Sequence, residues 1–317
     1  SLRNDSLDGG TGSDVISAGG GADLVRLGDL DGDDLVDGGA GVDRLVLDLS
    51  GRRVAASLLA GITGFEVLDV TLTGGRLALP ARVTTLPPLF GAPPALQVIL
   101  TTAAGSAATL DLRAATAAAV SGGEGNGSLM GSRGADSLSA GAGDDTLLGG
   151  RGGDRLDLSG GGADLLRYTS ILDGATLGTR PGFGTADTVI GFGADDRIEL
   201  SRAAFGALPE LLPMLAVADD APVPLGEARL LVLTAGDAPA SPLDLAAVNA
   251  AFGGRLLPNG RTGDASFLLV PGGEAGSGVL YWVRDGNDNA LLDTADVVVA
   301  LASFTGGLPT ADQFIIA

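Results

Sequence analysis

Histidine, cysteine and lysine are all missing from this chain of 317 residues, and each absence closes off a chemistry. Without histidine or cysteine there is no Ser-His-Asp triad, no cysteine nucleophile and no histidine-bound zinc. Without cysteine there are also no disulfide staples, so a protein outside the cell must find its stability elsewhere. Without lysine there is no G-x-x-x-x-G-K-[ST] phosphate loop. Aromatic residues make up only 4% of the chain, which suits a thin aliphatic core. No uninterrupted apolar run reaches the length of a membrane span. Positive charge is scarce: 19 arginines face 39 acidic residues, for a net charge of −20. That balance repels nucleic acid phosphates and anionic membrane surfaces. Glu66, Glu124, Glu199, Glu210, Glu227 and Glu274 are scattered, with no pair placed for glycoside chemistry. The expectation is a chain that is not an enzyme.

What the chain has in plenty is glycine, 53 residues of it, arranged with a period. The nine-residue pattern G-G-x-G-x-D-x-U-x, where U is a large apolar residue, recurs in two blocks. Its clearest copies are Gly9 to Ser17 and Gly149 to Asp157. The glycines allow tight turns that aim carbonyls at an ion, and the aspartate supplies a hard charged oxygen of the kind calcium prefers. Such repeats are the signature of a calcium-binding parallel β-roll. A plain linker would not keep an aspartate two positions before an aliphatic residue in copy after copy.

These motifs resemble the RTX (repeats-in-toxin) family of type I secreted bacterial proteins. The resemblance implies two nonapeptides per turn of a right-handed roll, with several Ca2+ ions held between successive turns by glycine-loop carbonyls and motif aspartates. Carried over, the first block offers Asp5, Asp14, Asp23, Asp34 and Asp43, with Gly10, Gly12, Gly19, Gly21, Gly32, Gly39 and Gly41. Its inward residues are Leu7, Ile16, Val25, Val36 and Leu45, and two extra residues are expected to bulge near Gly28 and Asp29. The second block offers Asp136, Asp145, Asp154 and Asp164, with Gly134, Gly141, Gly143, Gly150, Gly152 and Gly162. Its inward residues are Leu138, Leu147, Leu156 and Leu166. One further copy has Gly127 in place of its aspartate, so a weaker site or none is expected there. The segment from Asp285 to Asp296 places Asp285, Asn287, Asn289, Asp293 and Asp296 at the oxygen positions of an EF-hand-like calcium loop. It lacks the usual central glycine and final glutamate, and a polar hairpin turn is the alternative.

The expected fold is all-β. Residues 1–50 form a first roll, and 51–120 a strand-rich solenoid segment or insertion, from apolar alternation at Leu45 to Leu49, Phe65 to Leu72, Leu77 to Leu79, Leu96 to Leu100 and Leu110 to Leu112. Residues 86–94, rich in proline, read as a loop, and Gly61 to Leu68 resembles a G-x-E-x-L strand start found between repeat blocks. Residues 121–200 form a second roll with closing strands, where Asp187 to Phe192 and Asp195 to Ser201 resemble a roll-closing segment. Residues 201–317 form a small β-rich domain, with short helices expected at 203–215 and 243–252. Strands are expected at 229–233, 266–270, 279–283 and 297–301. The last residues, Asp312 to Ala317, resemble a type I secretion signal, or a last β-strand, or both in turn.

The chain opens inside a repeat, so a fragment of a larger protein is expected. The resemblance implies a secreted protein at the cell surface of a Gram-negative bacterium, a calcium-folded structural region assembling with copies of itself in an S-layer-like lattice. The type I secretion machinery would be its partner during export. The competing readings are the secretion-bearing end of a large adhesin and the folding module of an upstream protease or lipase.

Overall fold

The computed structural model describes residues 2–50, 52–79, 96–115, 117–173, 175–177, 186–205, 214–217, 223–224, 230–233, 256–257, 265–284 and 297–317. The chain divides into two units: residues 1–148 with 160–162, and residues 149–159 with 163–317.

The first unit is a parallel solenoid. Its strands are β1 (Ser6–Gly10), β2 (Val15–Ser17), β3 (Leu24–Leu27), β4 (Leu35–Asp37), β5 (Arg44–Asp48), β6 (Arg53–Val54), β7 (Ile62–Thr63) and β8 (Val67–Thr71). There follow β9 (Arg76–Ala78), β10 (Leu96–Thr101), β11 (Ala107–Asp111), β12 (Ala118–Ser121), β13 (Asn126–Met130), β14 (Ser137–Ser139) and β15 (Thr146–Leu148). One sheet runs β1-β3-β5-β8-β10-β12-β14, every neighbour parallel. Opposite it, β2-β4-β7 serves the first turns and β6-β9-β11-β13-β15 the later ones.

Register explains why the core is thin and continuous. Leu7, Val25, Leu45, Leu68, Val98, Val120 and Leu138 stand in one unbroken column. Ile16, Val36 and Ile62 form a second, and Val54, Leu77, Leu110, Leu129 and Leu147 a third. Leu45, Leu68, Leu77, Leu110, Leu138 and Leu147 are completely buried. Burying an aliphatic side chain of this size contributes about 1.5–3 kcal/mol, so a column held in register is the main apolar support of the solenoid. The alternating runs over 44–120 fall on β5, β8, β9, β10 and β11, which pair in parallel with strands before and after them. The longer turn at Gly28 does not simply bulge outward: Leu30 folds inward and is only 5% exposed.

The second unit mixes directions. It contains β16 (Arg155–Asp157), β17 (Leu165–Tyr168), β18 (Ala175–Leu177), β19 (Asp187–Ile190), β20 (Arg197–Leu200) and a four-residue helix α1 (Arg202–Phe205). After these come β21 (Met214–Val217), β22 (Val223–Pro224), β23 (Leu230–Leu233), β24 (Leu256–Leu257), β25 (Ala265–Pro271), β26 (Gly278–Arg284), β27 (Val297–Thr305) and β28 (Phe314–Ile316). Parallel pairing persists through β16-β19-β27 and β17-β20-β28, while β25, β26 and β27 form an antiparallel meander. The four C-terminal strands expected from alternation are β23, β25, β26 and β27. The helix expected over 203–215 ends at Phe205, and Met214 and Leu215 belong to a strand. Residues 206–213 lie outside the described residues. Phe205 seats this short helix edge-on against Phe267 and Trp282, at 5.5 and 6.1 Å between ring centres. Residues 86–94, 243–252 and 285–296 lie outside the described residues.

Candidate metal-binding turns

Each motif aspartate occupies the position just before its strand. The backbone N–H of Asp5 donates to Oδ1 of Asp23 at 2.7 Å, that of Asp14 to Asp34 at 3.0 Å, and that of Asp23 to Asp43 at 2.8 Å. Ala118 donates likewise to Asp136 at 2.6 Å, and Gly127 to Asp145 at 2.5 Å. In the second unit Asp154 donates to Asp187 at 3.0 Å and Asp164 to Asp196 at 2.9 Å. One oxygen of each carboxylate thus ties two turns together.

The second oxygen has a different fate. Oδ2 of Asp14, Asp23 and Asp43 is buried and accepts no hydrogen bond. A buried, bare carboxylate oxygen is costly, and the cost vanishes when a hard cation sits against it. Burial, then the neighbouring aspartates, push the pKa of Asp14 up. For Asp43 burial again leads, with Asp23 and Asp37 adding to it against an opposing backbone hydrogen bond. The glycines supply the other half of the donor set. Gly41, at φ 144°, lies so close to the preceding turn that a Cβ there would sit 1.6 Å from the Gly21 carbonyl oxygen. A Cβ on Gly9 would meet Oδ2 of Asp14 at 2.6 Å. At Gly38 a Cβ would lie 2.2 Å from the Gly64 carbonyl oxygen and 3.1 Å from Oδ2 of Asp43, so carbonyl and carboxylate oxygens border one narrow space between turns. Among the described residues no three acidic side chains gather around one point, so an ion here would take most of its ligands from the backbone. The residues present fit calcium, which accepts mixed carboxylate and carbonyl oxygens in flexible numbers.

The turns are not equivalent. Gly10, Gly12, Gly19, Gly21, Gly39, Gly41, Gly141, Gly143, Gly150, Gly152 and Gly162 share the positive φ of a tight glycine turn; Gly32 and Gly134 do not. At Gly32 the turn closes on itself: Asp31 N–H donates to Oδ2 of Asp34 at 2.8 Å, and Gly12 N–H to Asp29 at 2.9 Å. At Gly134, Ser132 replaces the second glycine, and its N–H and hydroxyl reach the Asp136 carboxylate at 2.6 and 2.9 Å. Both carboxylates already hold donors from their own turns, so these two turns are poorer ion sites than their neighbours.

Three acidic residues outside the pattern share the aspartate position. Glu66, Asp187 and Asp196 each precede an inward residue by two, as Asp43 precedes Leu45. Oε2 of Glu66 accepts the Asp43 N–H at 2.9 Å. Asp187 is buried beside Tyr168, and burial followed by the Asp154 charge drives its pKa well up. The Asp196 turn is closed by protein groups. The Gln313 amide donates to the carbonyls of Gly193, Ala194 and Asp196 at 2.8, 3.1 and 3.0 Å, and Arg197 reaches Ala194 and Asp196 at 3.2 and 2.8 Å. The E-x-L, D-x-V and D-x-I spacings were the sequence signal for the three acidic positions. Asp285, Asn287, Asn289, Asp293 and Asp296 lie outside the described residues.

Among curated proteins a search finds no match. The family profile of the RTX calcium-binding nonapeptide repeat matches four copies, over residues 1–30, 29–49 and 121–156. Repeats of this kind bind several calcium ions. The matched residues coincide with the turns whose aspartates bridge to the next rung, and the chain accordingly carries RTX calcium-binding repeats in both of its glycine-rich blocks.

Proposed function

We propose that this chain is a non-catalytic structural region of a secreted surface protein, folded by calcium outside the cell and assembling there with copies of itself. The buried, unpartnered Oδ2 atoms of Asp14, Asp23 and Asp43 carry the calcium half of this reading. With a net charge of −20 the chain opposes its own compaction until cations arrive. Two nonapeptide blocks would take up roughly six ions, about +12 of charge. At cytosolic calcium the rolls would stay unfolded, as export of an extended chain by type I secretion requires. The proposed ligands are the motif aspartates and glycines, with Asp34 and Asp136 contributing least.

Exposed apolar side chains support the assembly half. Val15 is 81% exposed, and Leu35, its partner on the adjacent strand, 57%. Val42 on the same roll is 61% exposed. Light scattering and circular dichroism during a titration from chelator into millimolar calcium test both halves. Ordered strand signal together with a reversible climb in mass supports the reading. Compaction to a monomer removes the assembly half, and native-like structure in strong chelator removes the calcium half.

A further inference from the structure

We propose a calcium site that the nonapeptide pattern does not encode, between Asp43 and the turn Gly61 to Glu66, with Glu66 as its distinguishing ligand. The proposal rests on the calcium reading of the rolls and extends it past residue 49, where the first repeat match ends.

Three observations converge. First, Asp43 is completely buried, and its Oδ2 has no hydrogen-bond partner. Second, a Cβ on Gly38 would lie 3.1 Å from that oxygen and 2.2 Å from the carbonyl oxygen of Gly64. A carboxylate oxygen and a carbonyl oxygen from the next turn therefore border one small space, which exists only because residue 38 has no side chain. Third, Glu66 repeats the relation seen between the motif aspartates, since its Oε2 accepts the Asp43 N–H at 2.9 Å. Its strand is in register with the roll, Leu68 beside Leu45. Glu66 therefore stands on the next rung of the Asp5, Asp23, Asp43 column.

Charge points the same way. A Cβ on Gly64 would meet Oδ1 of Asp37 at 2.7 Å, so a third carboxylate borders this turn. Asp37 accepts only a neutral hydroxyl there, from Thr63 at 3.1 Å. Arg44, beside Asp43 in the chain, is 46% exposed and turned to Asp69. Asp43 and Glu66 together with the Gly64 carbonyl offer a mixed oxygen set, irregular and partly backbone, which suits calcium and not the strict octahedron of magnesium.

Equilibrium dialysis with radioactive calcium on the full chain, wild type against Glu66→Gln, tests the site. Glutamine keeps an oxygen for the Asp43 amide and removes only the charge, so the fold is retained. Asp14→Asn, in a turn away from Glu66, calibrates how the loss of one repeat ligand registers. The expected result is that Glu66→Gln binds one ion fewer, or weakens one step at least tenfold, with an unchanged calcium-loaded circular dichroism spectrum. Wild-type count and affinity in Glu66→Gln, with a loss in Asp14→Asn, would overturn this site and leave the roll reading standing. No calcium bound by the wild type would overturn both.

Discussion

A single methyl group separates two kinds of glycine in these turns. At Gly41 a Cβ would collide with the Gly21 carbonyl, whereas at Gly12, with φ 96°, nothing lies within 4 Å. Gly12→Ala meets only backbone strain, about 1 kcal/mol. Gly41→Ala must push two turns apart and is expected to cost several times as much, about 3 kcal/mol or more. Calcium titrations followed by circular dichroism should show a small upward shift in midpoint for the first and a large one for the second; equal shifts would mean the turns are looser than described. At this scale the sequence was informative where ligand and spacing coincide. Asp14, Asp23 and Asp43 were legible because each follows glycines and precedes an aliphatic residue by two. Glu66 was legible as a strand start and not as a ligand, because its turn has lost the glycine pair and it carries one more methylene. Asp34 and Asp136 were grouped with the other copies, although Leu30 and Ser132 stand where their second glycines would be, because the hydrogen bonds that close these turns are not written in the period.

Elements were legible by alternation, and their partners were not. The period of two located β8, β10 and β11, but only register shows that Leu68 and Val98 continue the column of Leu45. Alternation is local, whereas pairing joins residues tens of positions apart. The same limit hid Gln313, whose amide reaches carbonyls 117 to 120 residues away. Gln313 is buried, and its own oxygen accepts the Thr310 N–H at 2.8 Å, so the short turn before β28 is locked from both sides. Gln313→Ala would strip all three carbonyls of that donor at once, a loss of roughly 1–3 kcal/mol. Hydrogen exchange should then quicken at Ala317, whose N–H is bonded to Leu200, with β3 and β5 unchanged. Unaltered protection at Ala317 would show that strand pairing alone holds β28. The tail that resembles an export signal is thus a bonded rung of the folded protein.

For the whole molecule, proton and calcium compete for the same oxygens, which predicts opposite pH responses with and without the ion. Asp14, Asp43, Glu66 and Asp136 have raised pKa values, in each case chiefly from burial, and Asp173 is raised to about 6 for the same reason. A carboxyl that is harder to ionise when folded binds more protons in the native state, so stability falls as pH rises through the window. For Asp173 that window runs from the ordinary value, about 3.9, to about 6. Chelated protein should therefore gain structure on acidification from pH 7 to 4.5. Calcium-loaded protein should lose structure over the same range, because protonation releases its ions. Asp111 opposes the trend, since Arg113 first and Arg76 as well hold its pKa far down. Its contribution is present above the ordinary value and disappears only under stronger acid. Parallel pH melts in chelator and in calcium check the sign, and two curves of the same slope would refute it.

The column from Leu7 to Leu138 climbs one strand spacing per turn, yet its turns consume very different lengths of chain: Leu7 to Val25 at one extreme, Leu68 to Val98 at the other. Height is therefore counted in rungs and not in residues. Such a scaffold can grow taller by copying a rung or carry cargo by lengthening a corner, and neither change disturbs the other. A foreign segment spliced between rungs at residue 73, where the chain turns after β8, would be displayed on an intact ladder, whereas one residue added inside β8 would reverse the facing of the rest of that strand.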